Sequence, residues 1–73
     1  MDENEIRELL LREDGEFKRI FEEHRRRDGR LAALRNRGHL TDEEKVEESE
    51  LKKRKLALKD RMYQMMAEYR RSR

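Results

Sequence analysis

Apolar side chains recur at heptad spacing along two stretches of the chain, which is the spacing of a helix with one buried face. The first ladder has six apolar positions out of nine: Ile6, Leu10, Glu13, Phe17, Ile20, His24, Arg27, Leu31 and Leu34. The second has five out of six: Leu51, Lys55, Leu58, Met62, Met65 and Tyr69. No stretch alternates apolar and polar residues as a half-buried strand does, and the chain contains no proline. We therefore predict an all-α protein.

Signals between the two ladders set the predicted helix boundaries. Gly38 is placed to take the left-handed conformation that closes a helix, and Thr41 with Glu44 three residues later forms a capping box. We predict helix 1 over about residues 4–35, a turn over 36–41 and helix 2 over about 42–70, all within one domain spanning 1–73. Gly15 weakens helix 1, so the stretch before it is predicted to fray or to form a separate short helix.

The distribution of charge predicts how the two helices are arranged. Residues 1–24 carry a net charge of −5, residues 25–40 of +5, residues 41–51 of −5 and residues 52–73 of +7. If helix 2 folds back on helix 1, every block lies beside a block of opposite sign, whereas a parallel pair would place like charges together. The pattern therefore favours an antiparallel hairpin with coiled-coil packing.

Such a hairpin is expected to associate further. A chain of 73 residues with 33% hydrophobic residues and no cysteine lacks both a large core and disulfide bonds. Phe21, Leu56, Tyr63 and Met66 widen the apolar stripes beyond what one hairpin covers. We predict a homo-oligomeric helical bundle, or the docking of helices from another protein. The predicted oligomer or partner seam comprises Phe17, Ile20, Phe21, Leu31, Leu34, Leu51, Leu56, Leu58, Met62, Met65 and Tyr69.

His24 is the residue most suited by its chemistry to a metal or acid/base site. It occupies a core position of the ladder and shares a face with Asp28 four residues later. A metal or acid/base site is one interpretation, but such a site needs three or four convergent ligands, and the di-iron pattern Glu-x-x-His fails because residue 21 is Phe. We therefore predict that His24 is partly buried and hydrogen-bonded to Asp28 or to a helix 2 side chain, which fixes the register of the helices. We predict no catalytic residue, metal or cofactor.

Two segments resemble the YdcH-like family of small bacterial proteins of unknown function. The resemblance covers roughly residues 12–66 and rests on Phe17-x-x-Ile20-x-x-Glu23-His24-x-x-x-Asp28-x-x-Leu31-x-x-Leu34, followed by Leu51-Lys52-Lys53-Arg54-Lys55-Leu56-Ala57-Leu58-Lys59-Asp60. It implies a short helical hairpin with coiled-coil character, without catalytic activity or cofactor. Arg27 stands where the family usually has an apolar residue, which implies looser packing at that point.

Two classes of function suit this reading. The first is a non-catalytic protein–protein interaction or oligomerisation module, whose partners are a second copy of the chain or another helical protein. The alternative is a nucleic-acid-binding protein that uses basic residues of helix 2 and the C-terminus: Lys52, Lys53, Lys55, Arg70, Arg71 and Arg73. Acidic residues 1–24 count against it, because the hairpin sets them beside those cations. We expect a cytoplasmic protein with no membrane segment and no small-molecule substrate.

Overall fold

Three helices make up the regular structure of the chain. A computed structural model describes residues 1–72, with α1 at Glu3–Glu13, α2 at Gly15–Arg35 and α3 at Asp42–Arg71. These residues contain no strand, so the all-α prediction is confirmed. The stretch predicted as helix 1, over about 4–35, is two helices. The residues before Gly15 form the separate short helix predicted as the alternative to fraying, so the two-helix hairpin is not confirmed.

Asp14 separates α1 from α2. Its backbone is extended, with φ −120° and ψ 106°, and its N–H donates to the Leu10 carbonyl oxygen at 2.8 Å, which ends α1. Its carboxylate accepts hydrogen bonds from the backbone N–H groups of Glu16 at 3.0 Å and Phe17 at 3.1 Å, which begins α2. One residue therefore serves as C-cap and N-cap, and the satisfied amides stabilise the break.

The connection between α2 and α3 agrees with one prediction made from the sequence and differs from another. The capping box is present: the Glu44 N–H donates to the Thr41 hydroxyl at 3.1 Å, and the Thr41 N–H donates to the Glu44 carboxylate at 3.0 Å. Gly38, however, does not adopt a positive φ, so the predicted left-handed closure is wrong. Helix α2 instead ends in right-handed conformation, with the Asn36 N–H bonded to the carbonyl oxygen of Ala32.

The buried side chains form two clusters, one toward each end of the molecule. Helices α2 and α3 run antiparallel, and α1 packs at the end away from their connecting turn. The three-helix cluster comprises Ile6, Leu10, Phe17, Ile20, Leu58, Met62, Met65 and Met66. The turn cluster comprises Leu31, Leu34 and Leu51, with half-buried Leu40 against it. The space between the clusters is occupied by polar side chains that interrupt both ladders.

Helix α1 covers apolar surface that a hairpin alone would leave exposed. Its Ile6 and Leu10 are buried in the same cluster as Met65 and Met66 of α3. The expectation that a partner is needed to cover Met66 is therefore wrong. Among the described residues, the large apolar side chains that remain exposed are Met1, Val46, Leu56 and Tyr63. Within residues 1–72, every helix is too short or too polar to cross a membrane.

Candidate functional site

A belt of polar side chains crosses the hairpin between the two clusters. The Glu23 carboxylate accepts hydrogen bonds from Arg27 on its own helix at 3.0 Å and from Arg54 of α3 at 3.1 Å. The hydrogen bond from Arg27 is the main reason that the pKa of Glu23 lies below its usual value; partial burial opposes this effect and Arg54 adds to it. This carboxylate therefore stays charged and links the two helices.

His24 lies in this belt, but it does not form the predicted hydrogen-bonded pair with Asp28. Asp28 instead binds the Lys55 ammonium of α3 at 2.6 Å, and that hydrogen bond lowers the pKa of the carboxyl. The Nε2 of His24 is buried and has no hydrogen-bond partner among the described residues. Burial lowers the pKa of His24; the charge of Asp28 opposes this, while Lys55 and Lys59 reinforce it. His24 is therefore held neutral.

Metal binding finds no geometric support in the described part of the chain. Within residues 1–72 no three His, Asp or Glu side chains lie close enough together to hold a metal ion, and the sequence has no cysteine. His24 and Asp28 are only two potential ligands, and Asp28 is already paired with Lys55. The belt is thus a set of helix-to-helix polar contacts.

One side of the hairpin, called here the front face, is electrically neutralised by ion pairs between α2 and α3. These pairs are Glu16–Arg61 at 3.5 Å, Glu23–Arg54 at 3.1 Å and Arg30–Glu47 at 2.9 Å. In each pair the residue numbers add to 77, so one antiparallel register runs along the whole hairpin. The charges of these six side chains are therefore paired within the chain.

The opposite side, called the back face, carries cations without carboxylate partners. Helical spacing places these residues there: Lys18, Phe21 and Arg25 of α2, and Lys45, Lys52, Leu56, Lys59, Tyr63 and Arg70 of α3. None of these Lys and Arg side chains forms an ion pair with a described residue. Four carboxylates lie on the same side. Asp28 is paired with Lys55, and Glu3 of α1, which lies beside Tyr63 and Arg70, is paired with Arg7. Asp42 and Glu48 form no ion pair with a described residue. Cations therefore outnumber carboxylates on the back face, which makes it basic.

Apolar side chains lie among these cations. Leu56 is 59% exposed and Tyr63 is 45% exposed, and the Lys59 ammonium lies 5.9 Å from the centre of the Tyr63 ring. Beside them, where α1, α2 and α3 meet, is a groove of about 250 Å³. The groove is lined by Phe21, Met62, Tyr63 and Met66, with Arg7, His24 and Lys59 completing its walls. The surface is thus both basic and apolar.

The predicted seam divides into buried, half-buried and exposed residues. Those in the three-helix cluster are Phe17, Ile20, Leu58, Met62 and Met65, and those in the turn cluster are Leu31, Leu34 and Leu51. Phe21 and Tyr69 are half-buried at the edge of the three-helix cluster. Leu56 takes no part in either cluster. The structure therefore uses most of the seam within one chain.

The predicted nucleic-acid contacts are not one patch. Lys52 lies on the back face, Lys53 points away from the hairpin on another side of α3, and Lys55 is turned inward to Asp28. Arg70 and Arg71 end α3, and Arg73 lies outside the described residues. Sequence reasoning missed Arg25 as a member of the same surface, and it did not separate Lys52 and Lys59 from the paired cations of α3. The heptad spacing of Lys45, Lys52 and Lys59 is the signal that could have found it.

The fold and its surfaces define a small all-helical protein with two helix-built clusters and one basic face. The chain belongs to the DUF465 family, described as a protein family of unknown function, whose model matches residues 17–66. This family includes the YdcH-like small proteins, so the resemblance found in the sequence is confirmed. The match begins at Phe17 and therefore leaves out α1. No curated protein and no solved structure matches the chain.

Proposed function

We propose that this protein is a non-catalytic interaction module that binds another protein through its back face. The observation that supports this most directly is the exposure of Leu56 and Tyr63 on a surface whose Lys18, Arg25, Lys45, Lys52, Lys59 and Arg70 have no carboxylate partner among residues 1–72. Apolar side chains surrounded by unpaired charge contribute nothing to the core. They are the usual centre of a protein contact with a polar rim.

Self-association has less support than a different partner. The predicted bundle depended on apolar stripes that a hairpin would leave exposed, and α1 covers much of that surface within the chain. The exposed remainder on α3 is Leu56 and Tyr63, which share one side of the helix, and Val46, which lies on another. A dimer built on so little apolar area would be weak. Binding of a second copy of the chain is therefore an alternative that the solution mass tests.

Nucleic-acid binding is the second candidate. The observation that favours it is the run of unpaired cations on the back face, because phosphate contacts need Lys and Arg that are free of carboxylates. The ion pairs of the front face remove Arg54 and Arg61 from such a role. The net charge of the whole chain is only +2, which is low for a protein dedicated to a polyanion.

Site-specific photo-cross-linking in the protein's own cells tests this proposal. In one strain a photoreactive phenylalanine analogue replaces Tyr63 on the back face. In a control strain it replaces Val46, which is also exposed but lies on another side of α3. We expect discrete protein adducts from position 63 that survive nuclease, and few from position 46. Adducts that vanish with nuclease would favour nucleic acid. Equal adducts at both positions, or none at either, would contradict the proposal.

A further inference from the structure

The back face has the chemistry of a docking site for an acidic amphipathic helix. We infer that the partner of this module presents such a helix and that the helix lies along the groove between α2 and α3. This inference rests on the proposed function and adds the chemical class of the partner. Three features support it: the helix that the chain itself places against α2 and α3, the shape of the groove, and the spacing of the cations.

Helix α1 shows what kind of helix this hairpin accepts. It is 11 residues long and carries four glutamates against two arginines. Its anchors are Ile6 and Leu10, four residues apart and almost fully buried against the α2 and α3 side chains of the three-helix cluster. A short acidic helix with two apolar residues one turn apart is thus already docked on one end of the hairpin. The basic surface next to it continues toward the turn.

The groove on the back face begins at the edge of the α2 and α3 surface that α1 covers. Arg7 of α1 forms one wall, and Phe21, Tyr63 and Met66 give the groove an apolar floor and sides. Leu56 lies two turns of α3 from Tyr63, on the same side and nearer the turn. The volume of about 250 Å³ is below the roughly 300–1,000 Å³ typical of small-molecule sites. It is better suited to side chains that anchor a partner helix.

The spacing of the cations matches a helix more closely than a nucleic acid. Lys45, Lys52 and Lys59 recur every seven residues, which places them about 10 Å apart along one side of α3. A helix lying alongside presents its own side chains with the same period, so glutamates at one heptad position meet successive lysines. Arg25 of α2 supplies charge on the other side of the groove. Aliphatic Leu56 adds nothing to base stacking, which needs aromatic faces.

The first experiment is a selection from a displayed library of random 20-residue peptides against the full chain. We expect the enriched sequences to be acidic, with apolar residues at spacings of three and four. The best enriched peptide is then measured by fluorescence anisotropy against two double variants. Leu56→Ala with Lys59→Glu changes the back face, and Val46→Ala with Lys53→Glu makes the same kinds of change elsewhere on α3.

All four of these side chains are exposed, so both variants are expected to retain the wild-type helical circular dichroism. The back-face variant should weaken peptide binding by about tenfold or more, and the control variant by less than about twofold. Equal weakening by the two variants would overturn the inference. So would enrichment of basic or non-periodic peptides, or no enrichment at all.

Further readouts separate failure of this inference from failure of the proposed function. Nuclease-resistant protein adducts at position 63, together with no enrichment of acidic helices, would support the proposed interaction function. The same result would contradict the inference that the partner is an acidic helix. A 20-nucleotide single-stranded RNA that binds the wild-type chain but not the back-face variant would assign the surface to nucleic acid. A dimeric solution mass that the back-face variant reduces to the monomer would identify a second copy as the occupant.

Discussion

The two ends of the hairpin are built differently. The three-helix cluster draws buried side chains from all three helices and includes Phe17, which is fully buried. The turn cluster has three leucines from two helices, flanked by the exposed pair Arg30–Glu47 and the paired side chains of Arg37 and Glu44. Because burial of apolar area supplies most folding free energy, the end that α1 joins should be the more stable one. A short helix thus creates an asymmetry that the long hairpin alone lacks.

The polar belt allows the two ends to differ. Glu23, His24 and Arg27 on α2 interrupt the apolar seam between Ile20 and Leu31, so the clusters share no buried apolar residue. Substitutions at distant sites that share no contact partners usually have additive effects on stability. We expect damage at one end to remain partly local, and the following substitutions test that expectation.

The largest effect is expected from Phe17→Ala. Phe17 is fully buried in the three-helix cluster, and removing its ring should cost about 3–5 kcal/mol. A chain of this size has about that much stability in total, so the variant should be largely unfolded at 25 °C. Far-UV circular dichroism and urea titration measure this directly. A variant that kept the wild-type urea midpoint would show that the three-helix cluster is not the main source of stability.

Leu34→Ala sharpens the comparison between the ends. Leu34 is also fully buried, but it belongs to the smaller cluster, where the helices are joined only by a turn. We expect a cost of about 2–3 kcal/mol, the low end for a buried leucine, because this end can relax around the gap. Hydrogen exchange should show lost protection in residues 31–35 and 46–51 and retained protection in residues 58–66. Uniform loss over both ends would contradict independent clusters.

Asp14→Ala tests whether the break between α1 and α2 is needed for the greater stability of the three-helix end. The alanine cannot accept the hydrogen bonds from the Glu16 and Phe17 amides, and loss of such a cap costs about 1 kcal/mol. Without this cap, α1 and α2 gain the option of one continuous helix, which would draw Ile6 and Leu10 off the cluster. Asp14→Asn is the matched control because asparagine caps equally well. Equal urea midpoints for the two variants would show that the cap contributes nothing.

This break also shows where the sequence was informative and where it was not. The apolar ladder and the capping box at Thr41 were enough to predict the helices and the start of α3, because each signal is local. The ladder keeps its regular spacing from Leu10 through Glu13 to Phe17, so heptad spacing alone does not indicate the break. The signal for it was Asp14 followed by Gly15, a capping residue before a poor helix former. Helix propensity therefore located the weak point at Gly15, but it left fraying and a separate short helix as alternatives.

The two charged faces could not be predicted from charge blocks. Summing charge over residues 52–73 treats Lys52 and Arg54 alike, although the first lies on the back face and the second binds Glu23 on the front. The angular position of each side chain on its helix separates them, and that position gains meaning only once the register between the helices is known. The net charge of whole segments thus predicts the orientation of the hairpin. The interaction surface depends instead on the angular position of each side chain around its helix.

His24 should give the belt a pH dependence that neither cluster has. Burial lowers its pKa in the folded chain below the ordinary value of 6.5, so between those two values the unfolded chain binds more protons. The free energy of unfolding should therefore be at its plateau above about pH 6.5 and fall as the pH drops below it. Asp28, Lys55, Lys59 and Arg7 are the charged side chains facing this histidine, and only Asp28 would favour its protonation.

His24→Gln is expected to flatten this step. Urea titrations at pH 7.5 and 5.5 should differ less for the variant than for the wild-type chain, and the control His39→Gln, in the exposed turn, should retain the wild-type difference. At more acid pH the carboxyls with lowered pKa, including Glu23 and Asp28, should destabilise all three proteins as they protonate. If the step persisted in His24→Gln, another group would have to cause it.

The smallest effect is expected from the Arg30–Glu47 pair, which decides what holds the turn end together. The guanidinium donates two hydrogen bonds of 2.9 Å to the carboxylate, but both side chains are exposed and screened by solvent. A double-mutant cycle with Arg30→Ala and Glu47→Ala should give a coupling close to the error of the urea midpoint, and added salt should remove it. A coupling as large as the loss in Leu34→Ala would mean that ion pairs, not leucines, hold this end. The asymmetry between the ends would then depend on ionic strength, and high salt would separate α2 from α3 at the turn before it affected the three-helix cluster.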